Sequence, residues 1–282
     1  MISKETIHNW LQEDIKEADI TSEALIPKDF YSQADLILKE DGVLCGLEFI
    51  DDIFKAVDHN CKTTIFIKEG TFYPNKTLIA KIEGPYQALL KGERTMLNLI
   101  QHLSGISTAT HQYVELVKHT RANILDTRKT TPGYRELEKY AVKVGGGMNH
   151  RIGLYDQFLI KENHIKYYKQ EVNPFLAAIQ AARAYDNSKN IIIEVETLEE
   201  FRMALKANPN VILLDNMSLT DMTQAVEECS ASNNITQLEA SGGICYDTVK
   251  KVAETGVHRI SVGAITHSAK NLDISMLVNS NS

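Results

Sequence analysis

The amino-acid sequence predicts an α/β protein in which an N-terminal α+β module precedes an incomplete barrel of seven parallel strands. Two observations predict the barrel. From residue 122 onward, short apolar runs alternate with helical patterns, as they do in parallel sheets with crossover helices. Nearly every apolar run also ends in polar residues, and the strand ends of a TIM-type barrel open together on its ligand-binding face. The alternative, a doubly wound sheet, would concentrate function at one switch point.

The N-terminal half combines helical and strand-like patterns. The spacing of apolar residues predicts a helix over residues 3–15, capped by Ser3, and another over residues 46–58. A third helical pattern runs over residues 86–118, with an interruption expected at residues 104–105. The strand-like runs of this half lie at residues 33–39, 62–68 and 77–83.

The C-terminal half supplies the seven predicted barrel strands. The second of them, KYAVKV at residues 139–144, is a weak pattern that could equally form a helical turn. The seven strands are expected at residues 122–126, 139–144, 156–161, 190–196, 211–215, 236–240 and 258–264. The resulting domains are an N-terminal module at 1–110, a barrel at 111–270 and a C-terminal tail at 271–282.

Composition excludes several classes of protein. The chain has 282 residues, of which 43% are hydrophobic and 24% charged, as in ordinary globular proteins. Its N-terminal segment is amphipathic and acidic, without the features of a signal peptide, and no apolar run is long enough to span a bilayer. The four cysteines are scattered and form no CxxC pair, which favours reduced thiols. We therefore expect a cytoplasmic protein with no membrane partner.

Positive charge is concentrated between Arg121 and Lys169. This stretch has ten lysines and arginines against five aspartates and glutamates, in a chain whose net charge is −7. Nucleic-acid binding needs a broad basic face, which an acidic protein with one basic focus lacks. A small polyanionic ligand could be attracted electrostatically to such a focus.

Three cationic groups in this stretch each lie at or just beyond a short apolar run, as expected of side chains at the mouth of a barrel. They predict a pocket for an anion. Other cations of the stretch, Arg135, Lys139 and Lys143, are spaced i, i+4, i+8 and predict a solvent-exposed helix face. The three cationic groups are Arg128 with Lys129, His150 with Arg151, and Lys161.

Glycine-bearing turns after the last two predicted strands indicate a phosphate site. Ser241, Gly242 and Gly243 follow one strand, and Gly263 follows the next. Such turns lead into helix N-termini, whose free N–H groups bind anions, and the corresponding loops of barrels are a recurrent phosphate site. The alternative is that these glycines only permit the turns.

Two carboxylates, Glu194 and Asp215, end consecutive predicted strands. They are candidates to hold Mg²⁺ through oxygen and water ligands. Structural ion pairs with the basic residues would explain them equally well. Glu196 competes with Glu194, because strand alternation directs both side chains the same way.

Several segments together resemble the quinolinate phosphoribosyltransferase family, also described as nicotinate-nucleotide pyrophosphorylase (carboxylating). In chain order they are ERTMLNLIQHLSGISTAT, LDTRKTTPGYRELEKYAVKVGGGMNHRIGLYDQFLIKENHI, EVE, LLDNM and EASGGI. The resemblance covers nearly the whole chain, and TRKT, GGGMNHR and KENH are highly specific at this spacing. One departure is Ala18, where the family tends to have glycine before the aspartate; this puts no catalytic residue in doubt.

The resemblance implies an N-terminal α/β sandwich domain and a seven-stranded α/β barrel. It also implies a homodimer in which the sandwich domain of one subunit caps the barrel of the other, with larger assemblies left open. The activity implied is transfer of the phosphoribosyl group from phosphoribosyl pyrophosphate to quinolinate, with decarboxylation, in NAD biosynthesis. The implied cofactor is Mg²⁺.

The resemblance further implies roles for individual residues. Arg94 would bind substrate in the partner subunit's site, whereas Glu194 and Asp215 would lie near the ribose hydroxyls and Mg²⁺ and form the catalytic set with Lys161. The quinolinate carboxylates and the sugar phosphate would be held by Arg128, Lys129, His150, Arg151 and Lys161. The 5-phosphate would be held by Ser241, Gly242, Gly243, Gly263 and His267.

Three other functions stay open from the sequence. A paralogous barrel protein associated with molybdenum transport resembles this family. Lys161 at a strand end could instead be the Schiff-base lysine of an aldolase, which requires a neutral amine. A non-catalytic sensor of a phosphate ligand would also use the basic groups, although it would not need the acidic pair.

Overall fold

A computed structural model describes residues 2–232 and 234–279. The helices are α1 (Lys4–Ile15), α2 (Ile20–Leu25), α3 (Glu48–Val57), α4 (Tyr86–Val117), α5 (Arg135–Val144), α6 (Glu162–Ile165), α7 (Pro174–Tyr185), α8 (Leu198–Lys206), α9 (Leu219–Ala231), α10 (Val249–Glu254) and α11 (Ala264–His267), with a 3-10 helix at Lys166–Tyr168. The strands are β1 (Tyr31–Leu38), β2 (Gly42–Val43), β3 (Lys62–Ile65), β4 (Phe72–Tyr73), β5 (Leu78–Pro85), β6 (Asn123–Leu125), β7 (Phe158–Ile160), β8 (Ile191–Val195), β9 (Val211–Asp215), β10 (Gln237–Ser241), β11 (Arg259–Ser261) and β12 (Ile274–Val278).

The chain forms two compact units. Within the described residues, unit 1 comprises 2–109, 136–146 and 269–279, and unit 2 comprises the remainder between 110 and 268. The predicted domain limits at residues 110 and 270 stay a prediction. No helix in the described part of the chain is long and apolar enough to cross a membrane.

Unit 1 contains an antiparallel sheet of four strands in the order β12-β1-β5-β3. Buried and less buried positions alternate along β1, which directs Ala34, Leu36 and Leu38 to the core. β12 pairs with β1 and buries Ile274 and Met276. Part of the predicted tail at 271–282 is therefore an edge strand of this sheet, because its alternating apolar side chains find a buried face.

The helix boundaries predicted from the sequence are correct in part. The Oγ of Ser3 accepts a hydrogen bond from the backbone N of Thr6 at 3.1 Å, so Ser3 is the predicted cap of α1. The interruption predicted at 104–105 is wrong, since α4 is continuous. A Cβ on Gly105 would lie 2.2 Å from the carbonyl oxygen of Lys270, so glycine here permits close packing within unit 1.

The predicted strand at residues 139–144 is wrong, because these residues form the end of α5. Residues 138, 139, 141 and 142 are buried, and positions spaced in this way lie on one face of a helix, whereas a strand would bury every second residue. Lys139 is only 2% exposed, which also corrects its predicted place on a solvent-exposed face, whereas Lys143 is exposed. The buried side chains of α5 are Glu138, Lys139, Ala141 and Val142.

Unit 2 is an incomplete α/β barrel, which confirms the predicted fold class. Its described residues form a parallel sheet in the order β6-β11-β10-β9-β8-β7. From β7 to β11 consecutive strands are neighbours, and the first strand, β6, pairs with the last, β11, as in a barrel. These six strands make five parallel pairings, and a sixth parallel connection is a single bridge between Leu125 and Met148, at the far edge of β6. It replaces the strand predicted at 139–144.

The barrel strands are anchored by an apolar core. β8 and β9 are buried at nearly every position, as is usual for central strands of parallel sheets. Ile192, Val211 and Leu213 form a buried cluster, against which Leu159 packs. Because parallel strands all run the same way, the polar residues at their carboxyl ends meet at one edge of this core.

Candidate active site

The carboxyl ends of the barrel strands surround a cavity of about 840 Å³ in unit 2. Twelve of the thirteen site residues predicted from the sequence line it, although they come from six strand ends and from the segment that follows the bridge at Met148. These twelve are Arg128, Lys129, His150, Arg151, Lys161, Glu194, Asp215, Ser241, Gly242, Gly243, Gly263 and His267. The thirteenth, Arg94, is exposed on α4 in unit 1.

The cavity has an excess of positive charge. Four lysines and arginines line it, against two carboxylates. Arg151 is 8% exposed, and burial lowers the pKa of its guanidinium. The charge of Arg128 lowers this pKa further, while Asp156 opposes the shift. The Nε atom of Arg128 is buried and has no hydrogen-bond partner within the described residues. An anion in the cavity would therefore relieve two under-compensated guanidinium groups.

His150 is held by hydrogen bonds on both sides of its ring. Its backbone N donates to Oδ1 of the buried Asp126 at 2.8 Å. Its Nδ1 accepts from the backbone N of Arg151 at 2.8 Å, and its Nε2 lies 3.2 Å from Oε1 of Glu239. The ring lines the cavity with both nitrogens directed at protein groups.

Lys161 and Glu194 form an ion pair across the neighbouring strands β7 and β8. Glu194 lines the cavity, whereas Glu196 lies one residue beyond the end of β8 and outside the cavity lining. The structure therefore favours Glu194 among the two candidates. A Schiff-base lysine must be free to attack a carbonyl carbon, whereas the amine of Lys161 is paired with Glu194.

The turn after β10 requires its glycines. Gly242 has φ +93° and Gly243 has φ +60°. A Cβ on Gly242 would lie 2.2 Å from Oδ1 of Asn216. Asn216 itself has φ +52°, and its backbone N donates to the carbonyl oxygen of Ser241 at 2.9 Å. The backbone of this turn is thus bare and closely packed, as at many anion sites.

The second glycine turn lies beside Lys129. A Cβ on Gly263 would be 3.1 Å from Cδ of Lys129 and 3.2 Å from Cδ2 of His267. The hydroxyl of Thr266 donates to the carbonyl oxygen of Lys129 at 2.8 Å. These contacts place a lysine, a histidine and an uncovered backbone at one end of the cavity.

Several residues at this site were given no role from the sequence, although Thr127, Asn216 and Glu239 stand among its polar strand ends. Thr127, Asn216 and Ser261 line the cavity, and Glu239 lies beneath it with no exposed surface. The sequence does contain a signal for Asn216. It is an asparagine directly after a predicted strand, and asparagine is among the residues that tolerate the positive φ of a tight turn. The burial of Glu239 could not be deduced from its place at a strand end alone.

Two family models match the chain. The model of the quinolinate phosphoribosyl transferase C-terminal domain matches residues 106–277, and that of the N-terminal domain matches residues 19–104. The chain belongs to the quinolinate phosphoribosyl transferase family. The family predicted from TRKT, GGGMNHR and KENH is therefore confirmed, and with it the class of enzyme, a phosphoribosyltransferase of NAD biosynthesis.

Relatives of this family are similar over nearly their whole lengths. A Bacillus subtilis protein, described as a probable nicotinate-nucleotide pyrophosphorylase (carboxylating), is 41% identical over 97% of this chain and 92% of its own. The Mycobacterium leprae nicotinate-nucleotide pyrophosphorylase (carboxylating) is 37% identical over 97% and 96%. The structure of the nicotinate-nucleotide pyrophosphorylase from Francisella tularensis has a TM-score of 0.91 and 36% identity, covering 99% of this chain and 98% of that one.

Proposed function

We propose that the cavity of unit 2 is where this chain transfers the phosphoribosyl group from phosphoribosyl pyrophosphate to quinolinate, giving nicotinate mononucleotide, pyrophosphate and CO₂. One observation carries the assignment. The under-compensated pair Arg128 and Arg151 lies in the same cavity as two bare glycine turns, so one space can hold two anionic substrates. The names of the relatives in Bacillus subtilis and Mycobacterium leprae support the same reaction.

Quinolinate, a dicarboxylate, is assigned to the cationic side of the cavity. Arg128 and Arg151 offer planar guanidinium groups that can bind a carboxylate through two parallel hydrogen bonds. Lys129 and Lys161 add point charges, and His150 forms part of the wall. The C3 carboxylate is gripped there, while the C2 carboxylate is left poorly neutralised.

The 5-phosphate of the second substrate is assigned to the glycine side. Backbone N–H groups at Gly242, Gly243 and Gly263 are free of side chains that would keep a phosphate away. Ser241 and His267 add side-chain donors beside these turns. This arrangement places the ribose between the two ends of the cavity.

Bond formation then needs orientation rather than a protein nucleophile. The lone pair of the pyridine nitrogen attacks C1 of the ribose, and pyrophosphate leaves with the bonding electrons. Glu194 and Asp215 stabilise the positive charge that develops on the ribose. When the C2 carboxylate departs as CO₂, the electron pair left on C2 takes up a proton. The fixed charges of the cavity favour loss of the carboxylate that they neutralise least.

Mg²⁺ fits this site only together with substrate. Glu194 is paired with Lys161, and Asp215 accepts a hydrogen bond from Nδ2 of Asn216 at 3.0 Å. Within the described residues no group of three or more His, Cys, Asp or Glu side chains is arranged to hold a metal ion. The oxygen donors suit an ion that pyrophosphate and water also ligate, and such an ion neutralises the leaving group when bound.

The working enzyme in this proposal is a cytoplasmic homodimer with shared sites. Arg94 is exposed on α4, where it is available to a second subunit. The four cysteines, Cys45, Cys61, Cys229 and Cys245, are all free thiols, which suits a reducing compartment. Both features support the proposal.

The proposed reaction is tested by incubating the protein with quinolinate, phosphoribosyl pyrophosphate and Mg²⁺. We expect nicotinate mononucleotide, pyrophosphate and CO₂ in equal amounts. Nicotinate in place of quinolinate serves as the control for the second carboxylate. Product formation without CO₂, or none at all, would contradict the assignment.

A further inference from the structure

Glu239 is a buried carboxylate that does not line the cavity. It lies in β10 and has no exposed surface, a rare state for a glutamate unless it is paired. Its Oε1 accepts a hydrogen bond from the hydroxyl of Ser261 and lies 3.2 Å from Nε2 of His150. Its Oε2 lies 2.8 Å from Nε of Arg259. The carboxylate therefore contacts three neighbours, two of which, His150 and Ser261, line the cavity.

The ionised form of Glu239 is the one that these contacts stabilise. Nε of Arg259, 2.8 Å from Oε2, supplies a countercharge, and the hydroxyl of Ser261 and the ring of His150 lie at Oε1, so the buried carboxylate is compensated by its contacts. An ionised carboxylate is only a hydrogen-bond acceptor. The hydrogen shared with His150 must therefore come from the imidazole.

The hydrogen bonds of His150 assign the tautomer of its ring. Nδ1 accepts the backbone N–H of Arg151 and so carries a lone pair. The single ring hydrogen then lies on Nε2, where it is donated to Glu239. With the other tautomer, the N–H of Arg151 and an N–H on Nδ1 would point at each other. One carboxylate thus fixes both the ring and the backbone that follows it.

We infer that Glu239 is a positioning residue of the substrate pocket: by accepting the Nε2 hydrogen of His150, it holds the ring that fixes the backbone of Arg151. The inference rests on the proposed function, because it explains what fixes the position from which Arg151 binds the quinolinate carboxylate. Arg259, which is 18% exposed and does not line the cavity, supplies the countercharge. Glu239 acts through His150 and touches no substrate itself.

The test compares two double variants of the full chain. Both contain Arg259→Gln, so that no arginine is left beside an uncharged residue. Glu239→Gln in this background keeps an oxygen that can accept from His150 and Ser261, whereas Glu239→Leu has a similar size and no acceptor. Glu228→Gln removes a surface carboxylate of α9, paired with Arg202, and controls for loss of charge.

Steady-state kinetics give the first readout. We expect the leucine variant to raise KM for quinolinate about ten-fold over the glutamine variant, because a buried donor loses its acceptor. KM for phosphoribosyl pyrophosphate should change less than about two-fold, since the glycine turns are untouched. Equal quinolinate KM values in the two variants would overturn the inference.

The ring nitrogens of His150 give a readout that does not depend on activity. In ¹⁵N NMR spectra, assigned with His150→Asn, the wild type and the glutamine variant should show the Nε2–H tautomer and the leucine variant a mixture. A wild-type ring with its hydrogen on Nδ1 overturns the inference even if a variant fails to fold. A wild type with this tautomer but no quinolinate activity would instead contradict the proposed function.

Discussion

Lys161 and Glu194 are paired across two neighbouring parallel strands, inside the cavity that holds the other predicted site residues. Lys161 directly follows β7 and is 46% exposed, whereas Glu194 lies within β8 and is 12% exposed. Ion pairs that solvent reaches stabilise a fold by only about 0–1 kcal/mol, and this pair opens on the cavity through its half-exposed lysine. The main effect of the pair is therefore to fix the position of the Lys161 ammonium in the cavity, and its effect on folding is small.

Replacing Lys161 with alanine should reduce turnover far more than stability. We expect kcat to fall at least about a hundred-fold, the range seen when one electrostatic contact to the reacting groups is removed. The free energy of unfolding should change by less than about 1 kcal/mol, because Lys161 is half exposed and Glu194 opens on the cavity. Product formation and urea unfolding measure the two effects.

The matched control for Lys161 is Lys166→Ala. Lys166 pairs with Glu162 on the surface of the same segment, 63% exposed, and does not line the cavity. The Lys166→Ala variant should retain the kcat of the wild type and a similar stability. Normal turnover by Lys161→Ala would remove this lysine from the reaction.

Gly242→Ala should weaken binding of phosphoribosyl pyrophosphate. The new Cβ would collide with Oδ1 of Asn216, at 2.2 Å, and its φ of +93° disfavours any side chain. We expect the KM of this variant for phosphoribosyl pyrophosphate to rise about ten-fold or more, as is usual when a preorganised anion contact is displaced. Initial rates at varied substrate concentration measure the change.

Gly133→Ala separates backbone strain from the site. Gly133 has φ +83°, but a Cβ added there would meet nothing within 4 Å, and the residue lies outside the cavity lining. The variant should lose about 1 kcal/mol of stability and keep its KM. Equal KM values for Gly242→Ala and the wild type would remove the turn from phosphate binding.

The sequence predicts the cavity better than it predicts the strand count. Strand ends are easy to predict in a parallel barrel, because every apolar run terminates at the same edge; Lys161 and Asp215 are located in this way. Residues 139–144 are misassigned since a short apolar pattern fits a strand and a helix about equally. The burial of Lys139 and Glu239 depends on packing between distant segments, which spacing along the chain does not contain.

Asp19→Ala should destabilise the protein in a way that depends on pH. Asp19 caps α2, and its carboxylate accepts from the hydroxyl and backbone N of Ser22, which lowers its pKa from the ordinary value of 3.8. A lowered pKa stabilises the fold above the unfolded value, and this contribution disappears as pH falls through the folded value. We expect a loss of about 1 kcal/mol at neutral pH.

Thermal unfolding at several pH values measures the effect of Asp19. The difference between wild type and variant should be constant near neutral pH and shrink below about 3.8, the ordinary pKa. Asp14→Ala, at an exposed position of α1, is the control and should leave the unfolding temperature nearly unchanged. A difference that persists undiminished in strong acid would show that the carboxylate is not the stabilising form.

Mixing two inactive variants tests whether Arg94 completes the site of a partner subunit. Arg94→Ala and Lys161→Ala should each be nearly inactive alone. If Arg94 acts in the partner, a mixed dimer has one site with neither change and one with both. Random mixing should then restore about a quarter of wild-type activity, since half of the dimers are mixed and each has one intact site. If Arg94 acts in its own subunit, every site lacks one residue and co-refolded mixtures stay inactive.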